Sequence, residues 1–268
     1  MTLDLKDIIY EKHHRVQGAA WITINRPQVM NAFTGDTLRE MREAVDDANA
    51  DDSVGVLVIT GAGDRAFCAG ADVRWLQSVQ QEGAGSASGG LDPHAGIEDC
   101  LKPVIARANG YCIGGGNHMA YMCDFTIACE EHAMFAQVGP RIGSPAAGYF
   151  VAYLTWVVGA KKAKEMWMLC RRYRAQEALQ MGLVNAVVPY DKLDDEVDNW
   201  CRELMAKSPS CLKILKASFL AEYEPLRETS RRNWVKEISP DFFRSGEAAE
   251  GKNAFRERRE PDFSRFPR

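Results

Sequence analysis

Short apolar segments rich in β-branched residues alternate with segments of helical periodicity along this chain, and the alternation restricts the folds it can adopt. Residues 54–60, VGVLVIT, form a continuous apolar run followed by Gly61 and Gly63, which is typical of a strand buried on both faces. Further strands are predicted at residues 19–25, 104–108 and 125–128. Strands separated by helices indicate βαβ units with right-handed crossovers, so the sequence predicts an α/β fold.

The helical segments lie between these strands and in the last third of the chain. Thr34 is placed to cap a helix, because apolar residues follow it at helical spacing. From Lys161 onward the pattern is helical and predicts a C-terminal α-helical region. The basic and aromatic tail at residues 256–268, RERREPDFSRFPR, is either solvated or docked onto a neighbouring subunit or an anionic ligand.

Residues 79–91, VQQEGAGSASGGL, contain little that a core could bury, so the sequence predicts a mobile segment there. Two interpretations remain open, an active-site flap and an inert insertion. If the segment is a flap, His94 and Glu98 could enter the site when it closes.

Composition excludes several classes of function. The formal net charge of -4 disfavours binding to nucleic acid or to an anionic membrane surface, both of which need clustered Lys and Arg. The sequence has no long apolar run and no signal-peptide pattern, so we expect a cytoplasmic protein. Its eight cysteines lack the spacing of a metal site and are expected to be reduced thiols packed as small apolar side chains.

Two glycine-centred turns are the segments most directly connected with chemistry. One is AFCAGAD at residues 66–72 and the other is NGYCIGGGN at residues 109–117, and each follows a predicted buried strand. Small residues at a strand-to-helix junction leave backbone N–H groups without partners. Two such donors aimed at one point can stabilise a developing oxyanion, with help from the helix dipole.

On these motifs the chain resembles the enoyl-CoA hydratase/isomerase (crotonase) superfamily. The segments INRPQVMNAF, AFCAGAD, KPVIARANGYCIGGGN, FAQVGPRIG and ALQMGLVNAVVP occur in the family's order. The resemblance implies a crotonase-type β-β-α spiral core and an acyl-CoA substrate, with no covalent cofactor and no metal. It places the oxyanion hole for the thioester carbonyl at the N–H groups of Ala71 and Gly115. It also implies a homotrimer or homohexamer, with an acyl-CoA-binding core at residues 1–195 and a helical trimerisation region and tail at residues 196–268.

Within that superfamily the chain is most similar to 1,4-dihydroxy-2-naphthoyl-CoA synthase and 2-ketocyclohexanecarboxyl-CoA hydrolase. The supporting segments are residues 137–144, 157–173 and 250–266. In those relatives the C-terminal segment crosses to a neighbouring subunit and helps to close its active site, so the resemblance implies the same crossing here.

The sequence departs from both groups at the positions that move protons. Enoyl-CoA hydratases have glutamates where this chain has His118 and Gly139, so ordinary hydration of fatty enoyl-CoA is disfavoured. The aspartate that naphthoyl-CoA synthases carry in GSFDGG is missing from residues 143–148, GSPAAG, and a tyrosine pair is replaced by Phe242 and Phe243. Naphthoate synthesis is therefore disfavoured as well.

Three candidates remain for handling a proton. His118 has an imidazole, whose unperturbed pKa of about 6.5 suits acid–base work at neutral pH. Gln137, Gly139 and Trp167 match the residues with which some naphthoyl-CoA synthases hold bicarbonate as an external base, so the resemblance implies a site for bicarbonate or another small anion. Tyr149 could reach the acyl pocket or simply pack in the core. Asp72 is interpreted as a helix cap and Asp124 as a structural residue.

For the CoA moiety, the pattern suggests two backbone segments and two arginines. The segments are Met30, Asn31 and Ala32 and then Arg65, Ala66 and Phe67, whose main-chain groups would bind adenine and pantetheine. Arg258 and Arg259 of a neighbouring subunit would bind the phosphates.

Taken together, these features predict an enzyme that stabilises a thioester enolate, acting as a hydratase or lyase on a cyclic or branched acyl-CoA. Two alternatives remain open: a hydrolase that opens the ring of a β-keto acyl-CoA by carbon–carbon cleavage, and a non-catalytic acyl-CoA-binding homologue.

Overall fold

A computed structural model describes residues 4–81, 96–146, 148–229 and 234–266 of the chain. Within those ranges, no helix is both long enough and apolar enough to cross a membrane. The predicted mobile segment lies mostly outside the described residues, although its first three residues belong to a helix that ends at Gln81.

The described residues form two β-sheets. The strands are β1 (Ile8–Lys12), β2 (Ala19–Ile24), β3 (Val56–Gly61), β4 (Ala66–Cys68), β5 (Val104–Ala108), β6 (Tyr111–Ile113), β7 (Phe125–Cys129), β8 (Met134–Ala136), β9 (Arg172–Arg174) and β10 (Ala186–Val188). The larger sheet has the order β1-β2-β3-β5-β7-β10, and the smaller has the order β4-β6-β8-β9. β1 with β2 and β8 with β9 pair antiparallel, and the remaining neighbours are parallel.

Helices connect and cover these strands. They are α1 (Gly35–Ala50), α2 (Val73–Gln81), α3 (Gly115–Met122), α4 (Tyr149–Leu169), α5 (Ala175–Gln180), α6 (Leu193–Met205), α7 (Pro209–Thr229), α8 (Trp234–Ile238) and α9 (Glu247–Arg256), with short 3₁₀ turns at Pro27–Val29, Pro140–Ile142 and Tyr190–Lys192. α4 is bent at Gly159, whose backbone is not helical (φ 77°).

The predicted α/β architecture is confirmed. Strands β2, β3, β5 and β7 occupy the four predicted segments to within two residues at either end, and every residue of β3 and β5 is buried. Thr34 caps α1 as predicted, because its hydroxyl accepts the Thr37 N–H. All eight cysteines are free thiols; only Cys211 is exposed.

The chain from Lys161 onward is largely helical, as predicted, but it also contains two short strands that the sequence did not predict. β9 joins the smaller sheet beside β8, and β10 extends the larger sheet beside β7. Both strands have three residues, too few to show an alternating pattern against the helical segments around them. α4 also begins twelve residues earlier than predicted, at Tyr149 rather than at Lys161.

Candidate active site

A cavity of about 1030 Å³ lies where the two glycine turns meet the C-terminal helix. Its volume is that of a site for a large organic ligand. Aromatic side chains form much of its wall, namely Phe33, Phe150, Trp167, Phe243 and Phe255. Ala71, Gly115, His118, Gln137, Gly139 and Trp167, which were predicted from separate parts of the sequence, all line this one cavity.

The two glycine turns approach each other closely. Gly70 (φ +90°) and Gly114 (φ +55°) both have a left-handed backbone that side chains strongly disfavour. A methyl group on Gly70 would lie 3.3 Å from the backbone nitrogen of Gly115, so the two turns are in contact. The third glycine of the second turn, Gly116, packs on β4 so tightly that a side chain would overlap the Cys68 carbonyl.

The backbone N–H groups of Ala71 and Gly115 are available to a ligand. Around Ala71, the Phe33 N–H donates to Gly70 O and the Asp72 N–H donates to Phe33 O, and neither bond uses the Ala71 N–H. Gly115 is the first residue of α3, where an N–H has no intrahelical acceptor. Among the described residues, no acceptor is bonded to either N–H.

His118 lies one turn into α3 and is buried beside an amide. Its Nε2 is 3.2 Å from Gln137 Oε1. Because an amide oxygen only accepts, this contact is a hydrogen bond in the tautomer of His118 that carries its proton on Nε2. The imidazole also packs against the rings of Phe150 and Trp167, with centroid distances of 4.7 and 5.4 Å.

Gln137 and Trp167 bring two further polar donors to this part of the cavity. Within the described part of the chain, neither Gln137 Nε2 nor Trp167 Nε1 has a hydrogen-bond partner, and both atoms are buried. An unpaired buried donor is costly unless a ligand or water satisfies it. A side chain at Gly139 would meet the Ser144 carbonyl oxygen at 2.6 Å, so glycine is required at that turn.

Acidic side chains are scarce around the cavity. Of the described residues that line it, Glu260 is the one carboxylate, and it is mostly exposed and paired with Arg141 at 2.5 Å. The loop that lacks the aspartate of naphthoyl-CoA synthases forms part of the cavity wall, where Ser144, Pro145 and Ala146 line it. Phe243 also lines it, so an apolar ring occupies the position of one missing tyrosine.

Tyr149 is the one predicted catalytic residue that the structure places elsewhere. Its hydroxyl donates to Glu98 Oε1 at 2.8 Å, and the Arg227 guanidinium lies 5.5 Å from its ring centroid. Glu98 also pairs with Arg227 at 3.0 Å, so both oxygens of this buried carboxylate are occupied. Burial and the Glu98 carboxylate raise the pKa of Tyr149 well above its ordinary value. Tyr149 and Glu98 therefore belong to a buried hydrogen-bonded cluster that does not line the cavity.

The backbone segments predicted to bind CoA lie outside this cavity. None of Met30, Asn31, Ala32, Arg65, Ala66 and Phe67 lines the cavity. The Asn31 side chain donates to the carbonyl oxygens of Ala62 and Ala66, at 3.0 and 2.7 Å, and its own oxygen accepts the Arg26 N–H. The asparagine thus links two loops by hydrogen bonds, and the Ala66 carbonyl oxygen already accepts a bond from within the protein.

The two tail arginines do line the cavity, but they belong to the same chain, whereas the prediction had them enter from a neighbouring subunit. Arg259 is bound to Glu250 and Glu257, and Arg258 has no carboxylate partner among the described residues. Sequence reasoning missed Arg141 and Arg172, which also line the cavity. Arg172 of β9 lies opposite Ala136 of β8. Its place in the cavity wall follows from the pairing of these two strands, which the sequence did not predict.

Three other side chains have structural roles. Asp72 caps α2, because its carboxylate accepts the Arg74 N–H at 2.9 Å; the helix begins at Val73 rather than at the predicted Ala71. Asp124 accepts the Val104 N–H and pairs with Lys216, which confirms its predicted structural role. Burial raises the pKa of Cys68 to about 12, so this thiol beside the first glycine turn is not a nucleophile at neutral pH.

Comparison with known proteins agrees with this architecture. The family model described as enoyl-CoA hydratase/isomerase matches residues 14–265. An enoyl-CoA hydratase/isomerase from Xanthobacter autotrophicus Py2 is 32% identical, with 94% of this chain and 92% of that chain covered and a TM-score of 0.77.

Two mycobacterial structures are similar to the same extent. A carnitinyl-CoA hydratase from Mycobacterium avium is 29% identical, with 96% of this chain and 98% of that chain covered and a TM-score of 0.79. An enoyl-CoA hydratase from Mycobacterium avium subsp. paratuberculosis K-10 is 28% identical, with 97% and 99% covered and a TM-score of 0.77. The predicted crotonase-type fold is thereby confirmed.

Proposed function

The chain belongs to the enoyl-CoA hydratase/isomerase family, whose members process acyl-CoA thioesters, and from that premise we propose that it stabilises a thioester enolate with two backbone donors. The observation that carries the proposal is a pair of backbone N–H groups, on Ala71 and Gly115, that have no acceptor among the described residues and belong to two touching turns lining one cavity. When the α-carbon of a thioester loses a proton, negative charge develops on the carbonyl oxygen. Two preorganised N–H donors stabilise that charge more than they stabilise the neutral carbonyl, which lowers the barrier.

The acyl group is, on this proposal, cyclic or branched. The size of the cavity and its aromatic walls favour a broad apolar group. The pair of glutamates that activates water in ordinary hydratases is replaced by His118 and Gly139, so the reaction is a hydration or lyase step that uses other proton carriers. Residues 157–173 and 250–266 resemble the naphthoyl-CoA synthase and ketocyclohexanecarboxyl-CoA hydrolase subgroup, and this resemblance supports hydrolytic ring opening of a β-keto acyl-CoA as the second candidate.

Two groups can exchange the proton. The first is His118, which lines the cavity and whose Nε2–H is oriented by Gln137. The second is a small anion such as bicarbonate, which would supply an external base. The residues present fit such an anion, because Gln137 Nε2 and Trp167 Nε1 are buried donors without partners in the described structure.

Binding of the CoA phosphates falls, on this proposal, to Arg258 and Arg172. Both line the cavity, and neither is paired with a carboxylate of the described residues. Arg259 instead holds Glu250. A guanidinium that is not paired with a carboxylate can form bidentate bonds with phosphate.

Turnover of matched substrates tests the function directly. Alicyclic enoyl-CoA and cyclic β-keto acyl-CoA compounds would be incubated with the protein, and the products would be read by mass spectrometry with fragmentation. Both reactions add one water, but hydration yields a hydroxyacyl-CoA and ring opening yields an acyl-CoA with a new carboxylate. Binding of these compounds without turnover of any would identify a non-catalytic homologue.

We also propose that the protein is a homotrimer or a pair of trimers, assembled through the C-terminal helices of residues 196–268. α7 exposes Ile214 and Phe219, at 65% and 66% of their surface, and α4 exposes Trp156 at 55%. Exposed apolar side chains grouped on packed helices are typical of subunit interfaces. Sedimentation at micromolar concentration should therefore show a trimer or a hexamer, and a single monomeric species would contradict the proposal.

A further inference from the structure

We infer that the C-terminal tail, residues 257–266, is a wall of the cavity of its own chain, and that Glu250 is the positioning residue that holds it there. The sequence resemblance implied the opposite arrangement, in which the tail closes the site of a neighbouring subunit. Arg258, Arg259, Glu260 and Pro261 all line the cavity formed by the same chain. The site would then be complete, on this side, within one polypeptide.

Glu250 is a buried carboxylate on α9 to which the tail is bonded at three points. Arg259 donates to both of its oxygens, at 2.6 and 3.1 Å, and Arg265 donates to one at 2.8 Å. The backbone N–H of Asp262 donates to it at 2.7 Å. These bonds and the arginine charges lower the pKa of Glu250 to about 2, so it stays ionised at neutral pH. Because three tail residues bond this one carboxylate, the tail folds back over α9, the helix that carries Glu250.

The helix that carries Glu250 is itself fixed against the cavity. A side chain at Gly251 would overlap the carbonyl group of Ile142, and a side chain at Gly143 would meet Ala248 Cα at 2.9 Å. α9 therefore packs backbone against backbone on the turn Pro140–Ile142, which directly follows Gly139. Arg141 of that turn pairs with Glu260 of the tail at 2.5 Å. The tail is thus joined to the turn beside Gln137 as well as to α9.

This arrangement gives the tail arginines different tasks. Arg259 and Arg265 neutralise Glu250. Arg258, in a left-handed backbone conformation (φ +54°), lines the cavity without a carboxylate partner among the described residues. Loss of Glu250 should release the tail and with it Arg258, while Ala71, Gly115 and His118 lie on other elements and keep their places.

Glu250→Gln tests whether Glu250 holds the tail in place, with Glu257→Gln as the matched control. Both glutamates pair with Arg259 and both changes remove one charge, but Glu257 is exposed and, among the described residues, its side chain bonds only that arginine. Trypsin cleavage at the tail arginines, followed by mass spectrometry on the native protein, should be at least about tenfold faster in Glu250→Gln, because the open tail becomes more populated. The control should stay within about twofold of wild type. Equal cleavage in both variants, at unchanged thermal stability, would overturn the role of Glu250.

Kinetics separate a positioning role from a general loss of structure, and this readout rests on the proposed acyl-CoA activity. Glu250→Gln should raise KM for the acyl-CoA by about tenfold and leave kcat within about threefold. The variant loses contacts that bind the substrate and the transition state equally, while the groups that take part in the reaction stay in place. Glu250→Asp should recover part of the change. A fall in kcat with unchanged KM would overturn the inference, whereas a wild-type protein without turnover would contradict the proposed function and leave the trypsin result standing.

Mixed assemblies decide between a tail in its own site and a tail in a neighbour's site. A chain with Gly115→Pro and a chain without residues 257–268 would be co-expressed with different tags and purified through both tags. If each tail serves its own chain, every site in the mixture lacks either the donor or the tail, and activity should equal the sum of the separate variants. Activity clearly above that sum would show sites completed by a neighbour and would overturn the inference, as would full activity of the truncated chain alone.

Discussion

Replacing Gly115 with proline should lower turnover of the preferred acyl-CoA by at least about 100-fold, the usual effect of losing one oxyanion donor. Gly115 is the first residue of α3, a position at which proline fits the helix because the N–H is not used within it. The substitution therefore removes the donor from the cavity without removing an intrahelical bond. Single-turnover rates on protein with a wild-type thermal transition would provide the measurement.

Gly115→Ala is the control that isolates the hydrogen bond. A methyl group at this position would lie 2.5 Å from a ring carbon of Phe33, so both substitutions displace the same ring. Only proline also removes the N–H. We expect the alanine variant to be much more active than the proline variant. Equal losses in the two would assign the effect to Phe33 and contradict the oxyanion hole.

Replacement of His118 by alanine should lower turnover by roughly 100-fold or more if the imidazole carries the proton, the usual range for general acid–base catalysis. Added bicarbonate should then have no effect on the wild-type enzyme. His118→Gln is the better matched variant, because the buried side chain can still donate to the Gln137 oxygen at its 3.2 Å contact. A hydrogen-bonding role alone would leave the glutamine variant active.

The anion hypothesis predicts the opposite pattern. Activity should rise with bicarbonate and be competed by chloride or nitrate. Trp167→Phe should weaken that response, because it removes an indole N–H that has no partner in the described part of the chain. Indifference to bicarbonate and to both substitutions would eliminate both carriers. Sequence reasoning left Tyr149 and Glu98 as further candidates, but they are bonded to each other outside the cavity. A group on the substrate would then have to carry the proton.

The scarcity of carboxylates in the cavity wall also has a consequence for the affinity of the substrate. The cavity of the described chain is lined by Arg141, Arg172, Arg258 and Arg259 against the single carboxylate of Glu260. On the proposed function, this excess of positive charge attracts the CoA phosphates, and the aromatic part of the wall suits the acyl group. Substrate affinity should therefore fall as ionic strength rises.

The sequence alone determined the features that depend on neighbouring residues. A short apolar run such as residues 54–60, rich in β-branched residues and followed by glycines, favours a strand between covered faces, and β3 lies there. Thr34 caps α1 because the cap needs only the next three residues. Both glycine turns were also predictable, because a left-handed backbone at Gly70 and Gly114 is a local demand on residue type.

Only the tertiary structure decided which partner each polar side chain takes. Tyr149 bonds Glu98, 51 residues away, and Arg141 pairs with Glu260, 119 residues away. Arg258 and Arg259 are adjacent, chemically identical and both line the cavity, yet Arg259 binds Glu250 and Arg258 has no carboxylate partner in the described chain. The type of a residue determines which groups its side chain can bond. Once the side chain is buried, water is no longer a partner, and it must bond whichever protein groups lie within reach. Distant segments supply those groups, so the choice of partner depends on the whole fold.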